Sequence, residues 1–224
     1  MNSTRPLVIA VGLILAGQLA FAQDLSRYRA YVLESSLDSV VAASGAPAAD
    51  AKTLHERPAT IQQLEWRAPY VDSLDTLADP VREISFTFYN DALYQVIVNY
   101  DRDRTNGLTP SEVIESLTAV YGEPVLRSAR TRPPAALPDA VVVAQWDSPN
   151  SSLTLLRDAY STEFKLVLVS KALSTRARNA IREAARLDAI EAPRRELEER
   201  KKEVADAADA QDKIRTTNKA AFRP

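Results

Sequence analysis

The 224-residue chain predicts an α+β fold: two tandem α-β-β-β units with an antiparallel sheet, followed by a C-terminal helical extension. Three observations carry this prediction. Two segments place apolar residues at helical spacing. Each is followed by Gly-x-Pro, an irregular Pro-containing stretch, a strand bearing a Trp and then a hairpin. From Ser174 to Arg223 the chain holds no glycine and a single proline, Pro193.

The elements follow in order. Met1–Arg5 is polar with one positive charge, residues 7–16 (LVIAVGLILA) are uncharged, and Ala20-Phe21-Ala22 presents small residues at the positions a signal peptidase reads. This predicts a signal peptide over residues 1–22, cleaved after Ala22, and a periplasmic or secreted protein. A spanning helix needs about 20 mostly apolar residues. No later stretch approaches that, so the mature form is expected not to span a membrane. Residues 28–33 alternate weakly and read as a strand. Residues 36–44 (SLDSVVAAS) read as a helix, with Ser36 as N-cap and Gly45-Ala46-Pro47 as its stop. Residues 46–59 are rich in Ala, Pro and polar side chains and read as a loop. Residues 61–67 offer Ile61, Leu64 and Trp66 as inward candidates. Residues 84–89 and 93–100 flank Asn90-Asp91-Ala92 as a hairpin, with Tyr94, Val96, Val98 and Tyr100 alternating against Leu93, Gln95, Ile97 and Asn99.

A second helix runs over residues 110–121, where Val113, Ile114, Leu117, Val120 and Tyr121 form one stripe and Gly122-Glu123-Pro124 ends it. Residues 127–139 are a Pro-rich loop. Strands follow at 140–146, 152–157 and 164–170. Trp66 follows Gly45 by 21 residues, and Trp146 follows Gly122 by 24. The matching order divides residues 23–171 into two related units, about 28–100 and 101–171, with both Trp side chains in the core. Packing each helix on its strands buries both apolar faces. Residues 172–224 then form a docked helix, a break at Pro193 and a solvated helix. Glu196–Arg200 and Glu198–Lys202 are i,i+4 pairs there, and Leu197 and Val204 lie seven apart.

Composition excludes several functions. The chain has no cysteine, so disulfides, thiol catalysis, cysteine-ligated metals and a cysteine-borne lipid anchor are all ruled out. Residues 172–224 carry 13 basic and 10 acidic side chains, against 14 and 20 in residues 23–171. Neither part concentrates the positive charge that nucleic-acid binding requires. His55 is the only histidine and reads as a surface residue in a polar loop. No Gly-x-Ser-x-Gly, phosphate loop or His cluster is present.

One segment carries metal-type spacing. Residues 101–112 (DRDRTNGLTPSE) place Asp101, Asp103, Thr105, Thr109 and Glu112 at the oxygen-ligand positions of an EF-hand-type loop, with Leu108 at its aliphatic position. Gly107 stands at the seventh position in place of the sixth, Arg102 and Arg104 sit beside the ligands, and a strand precedes the loop. Calcium is the ion such a loop would take. The same residues also form a capping box, Thr109 to Glu112 with Pro110 at the first helical position.

The helix, Gly-x-Pro and Trp-bearing strand at residues 36–47 with Trp66, and at residues 111–124 with Trp146, resemble the repeat of the β-lactamase-inhibitor-protein fold and of related small outer-membrane-assembly proteins. The resemblance spans about 23–171. It implies a protein-binding role and no catalysis. The chain departs from the assembly lipoproteins in lacking the anchor cysteine. The expectation is therefore an exported, non-catalytic protein-binding module of the cell envelope, whose partner is an envelope or extracellular protein. No cofactor is expected. Two other readings stay open: a calcium-stabilised structural module built on residues 101–112, and a hydrolase with dispersed carboxylates, which needs no local motif.

Overall fold

The computed structural model describes residues 24–69, 79–127, 139–161, 163–221 and 223. The predicted signal peptide and most of the Pro-rich loop lie outside the described residues. A short hairpin, β1 (Arg27–Tyr28) and β2 (Tyr31–Val32), opens the fold, with Arg29 at φ 54° in its turn. Next come α1 (Leu37–Ser44), a single 3-10 turn (Ala48–Asp50) and four strands: β3 (Lys52–His55), β4 (Ile61–Arg67), β5 (Val81–Tyr89) and β6 (Ala92–Tyr100). The second half holds α2 (Pro110–Tyr121) and four strands, β7 (Leu126–Arg127), β8 (Ala140–Asp147), β9 (Ser151–Asp158) and β10 (Phe164–Ser170). α3 (Lys171–Ala221) closes the chain.

β3 to β10 form one antiparallel sheet in the order β3-β4-β5-β6-β10-β9-β8-β7. The last strands of the two halves are therefore neighbours at its centre. The fold is α+β, as predicted, with four strands in each half where three were expected. β3 and β7 fall in or beside stretches read as loops. Both are short edge strands, and β3 is mostly exposed, so neither shows the alternation by which strands are recognised.

One face of the sheet carries the main core. Phe86, Phe88, Leu93, Val96, Val98, Trp146, Leu153, Leu155, Phe164, Leu166 and Leu168 pack there against Val40 of α1, Ile114, Leu117 and Tyr121 of α2, and Tyr28 and Tyr31 of the hairpin. Burying each large apolar side chain contributes about 1.5–3 kcal/mol. The helix ends are set locally. The Ser36 hydroxyl accepts from the Ser39 amide at 3.3 Å, and Gly45 at φ 69° returns its N–H to the Val41 carbonyl at 2.9 Å. The predicted capping box at Thr109 and Glu112 is formed, with Pro110 as the first residue of α2.

The opposite face receives the start of α3, whose buried Ala177 packs with Leu173 and Ile181 against Ile61, Tyr89 and Tyr94. Three expectations are corrected here. Ile61 is buried, but on this face, away from Leu64 and Trp66. The register shifts by one residue at Leu93–Gln95, a bulge that places two successive side chains on one face. Leu93 therefore joins Val96 and Val98 in the main core while Tyr94 meets α3. Finally, Pro193 lies inside a continuous helix. Proline costs about 3 kcal/mol relative to alanine in a helix interior, and the Glu, Arg, Lys and Ala residues around it are strong helix formers. Among the described residues the ion pairs of the distal helix are Arg194–Glu198 at 3.0 Å, Arg195–Asp188 at 3.2 Å and Arg215–Asp212 at 2.5 Å, and neither of the two pairs expected from spacing is among them.

Candidate functional site: an open strand edge in a cleft

β3 is shorter than the strand it covers. It pairs with β4 only from Lys52 opposite Gln63 to His55 opposite Ile61. On its other side β4 is paired with β5 along its whole length, from Ile61 opposite Tyr89 to Arg67 opposite Glu83. The direction of its backbone groups follows from two bonds. The Ala68 amide donates to the Arg82 carbonyl at 2.9 Å, and the Asn90 amide donates to the Thr60 carbonyl at 2.8 Å. Even-numbered residues thus aim their N–H and C=O at β5, and odd-numbered ones aim them away. Among the described residues no strand meets the outward groups of Glu65 and Arg67.

These groups open into a cleft of about 650 Å³, lined by Ala46, Pro47, Ala49, Trp66, Glu65 and Arg67 among others. Its two walls differ in chemistry. On the side of the main core stand Trp66 and the small residues that end α1 and form the 3-10 turn. Trp66 is only partly buried there. This corrects its assignment to the core: Trp146 is fully buried and its indole N–H donates to the Gly122 carbonyl at 2.6 Å, whereas Trp66 faces the cleft. On the other side the walls are polar. Gln63 Nε2 donates to the Ser85 hydroxyl at 2.9 Å, and Arg67 lies 3.2 Å from the Glu83 carboxylate and 3.5 Å from that of Glu65.

The predicted metal loop has a different construction. One Asp101 carboxylate oxygen accepts from the amides of Asp103 and Arg104 at 2.9 and 3.1 Å. The Thr105 hydroxyl, buried, donates to the Asp101 carbonyl at 2.7 Å. Glu112 turns back to Thr109, accepting from its amide at 2.7 Å and its hydroxyl at 2.8 Å, while the Thr109 hydroxyl accepts from the Glu112 amide at 3.3 Å. The loop is thus a hydrogen-bonded turn and cap in which Asp101, Thr105, Thr109 and Glu112 each have a local partner. Among the described residues no group of three or more His, Asp or Glu stands close enough to hold a metal ion.

The carboxyls that shift clearly, Asp24, Asp79, Glu112, Asp158 and Glu183, all shift down, each through a hydrogen bond it accepts. A general acid needs the opposite shift. Asp79 is held low by the Arg29 guanidinium, 2.8 Å away in one of two contacts, with burial opposing. Burial pushes the Tyr121 phenol up to about 12 and raises Tyr28 and Tyr100 as well. His55 is half-buried at the end of β3, where the sequence suggested an exposed loop.

No helix among the described residues is long and apolar enough to cross a membrane. Compared with known protein families, curated proteins and solved structures, the chain matches none.

Proposed function

We propose that this chain is an exported, non-catalytic protein-binding module of the cell envelope, and that it takes an extended segment of its partner onto the open edge of β4. The observation that carries the reading is the pair of outward-facing backbone positions at Glu65 and Arg67 inside the cleft of about 650 Å³. An unpaired edge is a template for another strand. Charged side chains on it blunt indiscriminate pairing, so Glu65, Arg67 and Lys52 restrict the edge to a matching segment. Export is supported by the three-part pattern of residues 1–22, and protein binding by the resemblance of residues 23–171 to families that bind proteins.

Magnitudes define the segment. Two residues offer four backbone groups, and each hydrogen bond contributes about 0.5–1.5 kcal/mol net. Four therefore supply about 2–6 kcal/mol, short of the roughly 8 kcal/mol of micromolar binding. Side chains must supply the rest. A strand beside β4 alternates its side chains between the two walls. One set meets Trp66, Ala46, Pro47 and Ala49, and the other meets Gln63, Glu65 and Arg67. The partner segment accordingly alternates apolar and polar residues.

The test is Glu65→Pro. Proline removes the outward N–H of residue 65 and is tolerated on an edge strand. Glu65→Pro should keep the melting temperature within a few degrees while losing a partner that the native protein retains from envelope extract. A partner still retained by Glu65→Pro at native yield would refute strand addition at this edge.

A further inference from the structure

We propose that the distal half of α3 pairs with the same segment of a second copy of this chain, as a parallel two-stranded coiled coil. The helix leaves the body early. Its last buried residue is Ala184, and among the described residues the Arg57–Glu191 ion pair is its last tie to the sheet domain. Every described side chain from Pro193 to Ala221 is exposed. At about 1.5 Å per residue, the segment from Ala192 onward projects about 45 Å. Among the described residues nothing in the body contributes to holding it.

The exposed apolar residues on this segment are regularly spaced. Ile190, Leu197 and Val204 recur every seven residues and are 61, 51 and 66 % exposed. Gln211 is the next member of that series. Ala207 and Ile214 fall on the companion series three residues on, with Arg200 between Pro193 and Ala207. Two such series per heptad form a coiled-coil seam. Arg200 can lay its stem along the seam with its head in water, and a Gln at one core layer specifies register.

The flanking charges identify the occupant and its direction. Glu196 and Glu203 stand just before the Leu197 and Val204 layers, while Arg194, Lys201 and Arg215 stand four residues after Ile190, Leu197 and Gln211, with the uncharged Ala208 four after Val204. One flank is acidic and the other basic. Two copies side by side and parallel set Glu196 against Lys201 of the second copy, twice per dimer. Antiparallel pairing sets acid against acid and base against base. Arg194 and Arg215 are already bound to Glu198 and Asp212 on their own helix, whereas Glu196 and Lys201 make no ion pair among the described residues. The segment is thus complementary to itself in the parallel arrangement alone.

Sedimentation of the purified protein at concentrations up to hundreds of micromolar tests this. The expected result is a reversible dimer that Leu197→Glu weakens about tenfold or more with the melting of the sheet domain unchanged, because Leu197 is exposed and lies thirteen residues beyond Ala184, the last buried residue of α3. Glu196→Lys should weaken the dimer, and Glu196→Lys with Lys201→Glu should restore it. The chain has no cysteine, so Leu197→Cys reports direction cleanly: mild oxidation should link the parallel dimer. A monomer throughout, a dimer indifferent to Leu197→Glu, or a dimer that Leu197→Cys fails to link would each overturn the proposal.

Discussion

Two residues hold the end of α2 onto the sheet. Gly122 sits at φ 74°, ψ −167°, a region that residues with a Cβ scarcely enter. Its carbonyl accepts the indole N–H of Trp146, which is fully buried. Deleting that ring leaves a cavity as well as an unpartnered carbonyl. Trp146→Ala should lower unfolding stability by about 3–5 kcal/mol. Trp146→Phe retains most of the apolar contact and should lose about 1–3 kcal/mol, largely for the orphaned acceptor. Chemical denaturation of the two variants separates the terms. No loss in Trp146→Phe would show that the hydrogen bond adds nothing to the packing. The Gly-to-Trp spacing was legible in the sequence, and at Gly122 and Trp146 it marks a physical bond. At Gly45 and Trp66 the same spacing leads elsewhere, because β4 lies beside the sheet edge and Trp66 is left facing the cleft. Spacing along the chain does not show how much strand lies beyond a residue.

At the scale of elements, the helices were readable because their signals are local: Ser36 and Thr109 as caps, Gly45 and Gly122 as stops, and apolar residues on one face. The long strands were readable from their β-rich runs. The bulge at Tyr94 was not, since an extra residue changes which side chains face the core without changing composition. The docking of α3 was half-legible. Its stripe predicted contact, but its landing place between Ile61 and Tyr94 depends on that bulge. Ala177 is wholly buried at this contact. A larger side chain there must displace the helix or strain it, at about 1–3 kcal/mol. Ala177→Leu should therefore destabilise the protein by that amount in thermal or chemical unfolding. Ala208→Leu, on the exposed distal half, should leave the sheet domain's stability within about 0.5 kcal/mol. Equal effects from both would mean that α3 does not rest on the sheet at Ala177.

At the scale of the molecule, the two halves meet at β6 and β10, so both edges lie far from the centre of the sheet. An edge is a relation between strands. That is why the candidate site was not visible in the sequence while the EF-hand-like spacing was. The latter is accounted for by hydrogen bonds within residues 101–112. If the distal α3 segments pair, each dimer carries two β4 edges, and a partner with two matching segments gains avidity without any new contact. The account stands on the edge being open in the free protein and closed in the complex. Residue-resolved amide hydrogen exchange reads this directly. In the free protein the amides of Leu64 and Trp66, bonded to β5, should exchange slowly, and those of Glu65 and Arg67 should exchange fast. In complex with the retained partner, Glu65 and Arg67 should become slow. Protection of Glu65 and Arg67 in the free protein, or no change in them on binding, would contradict it.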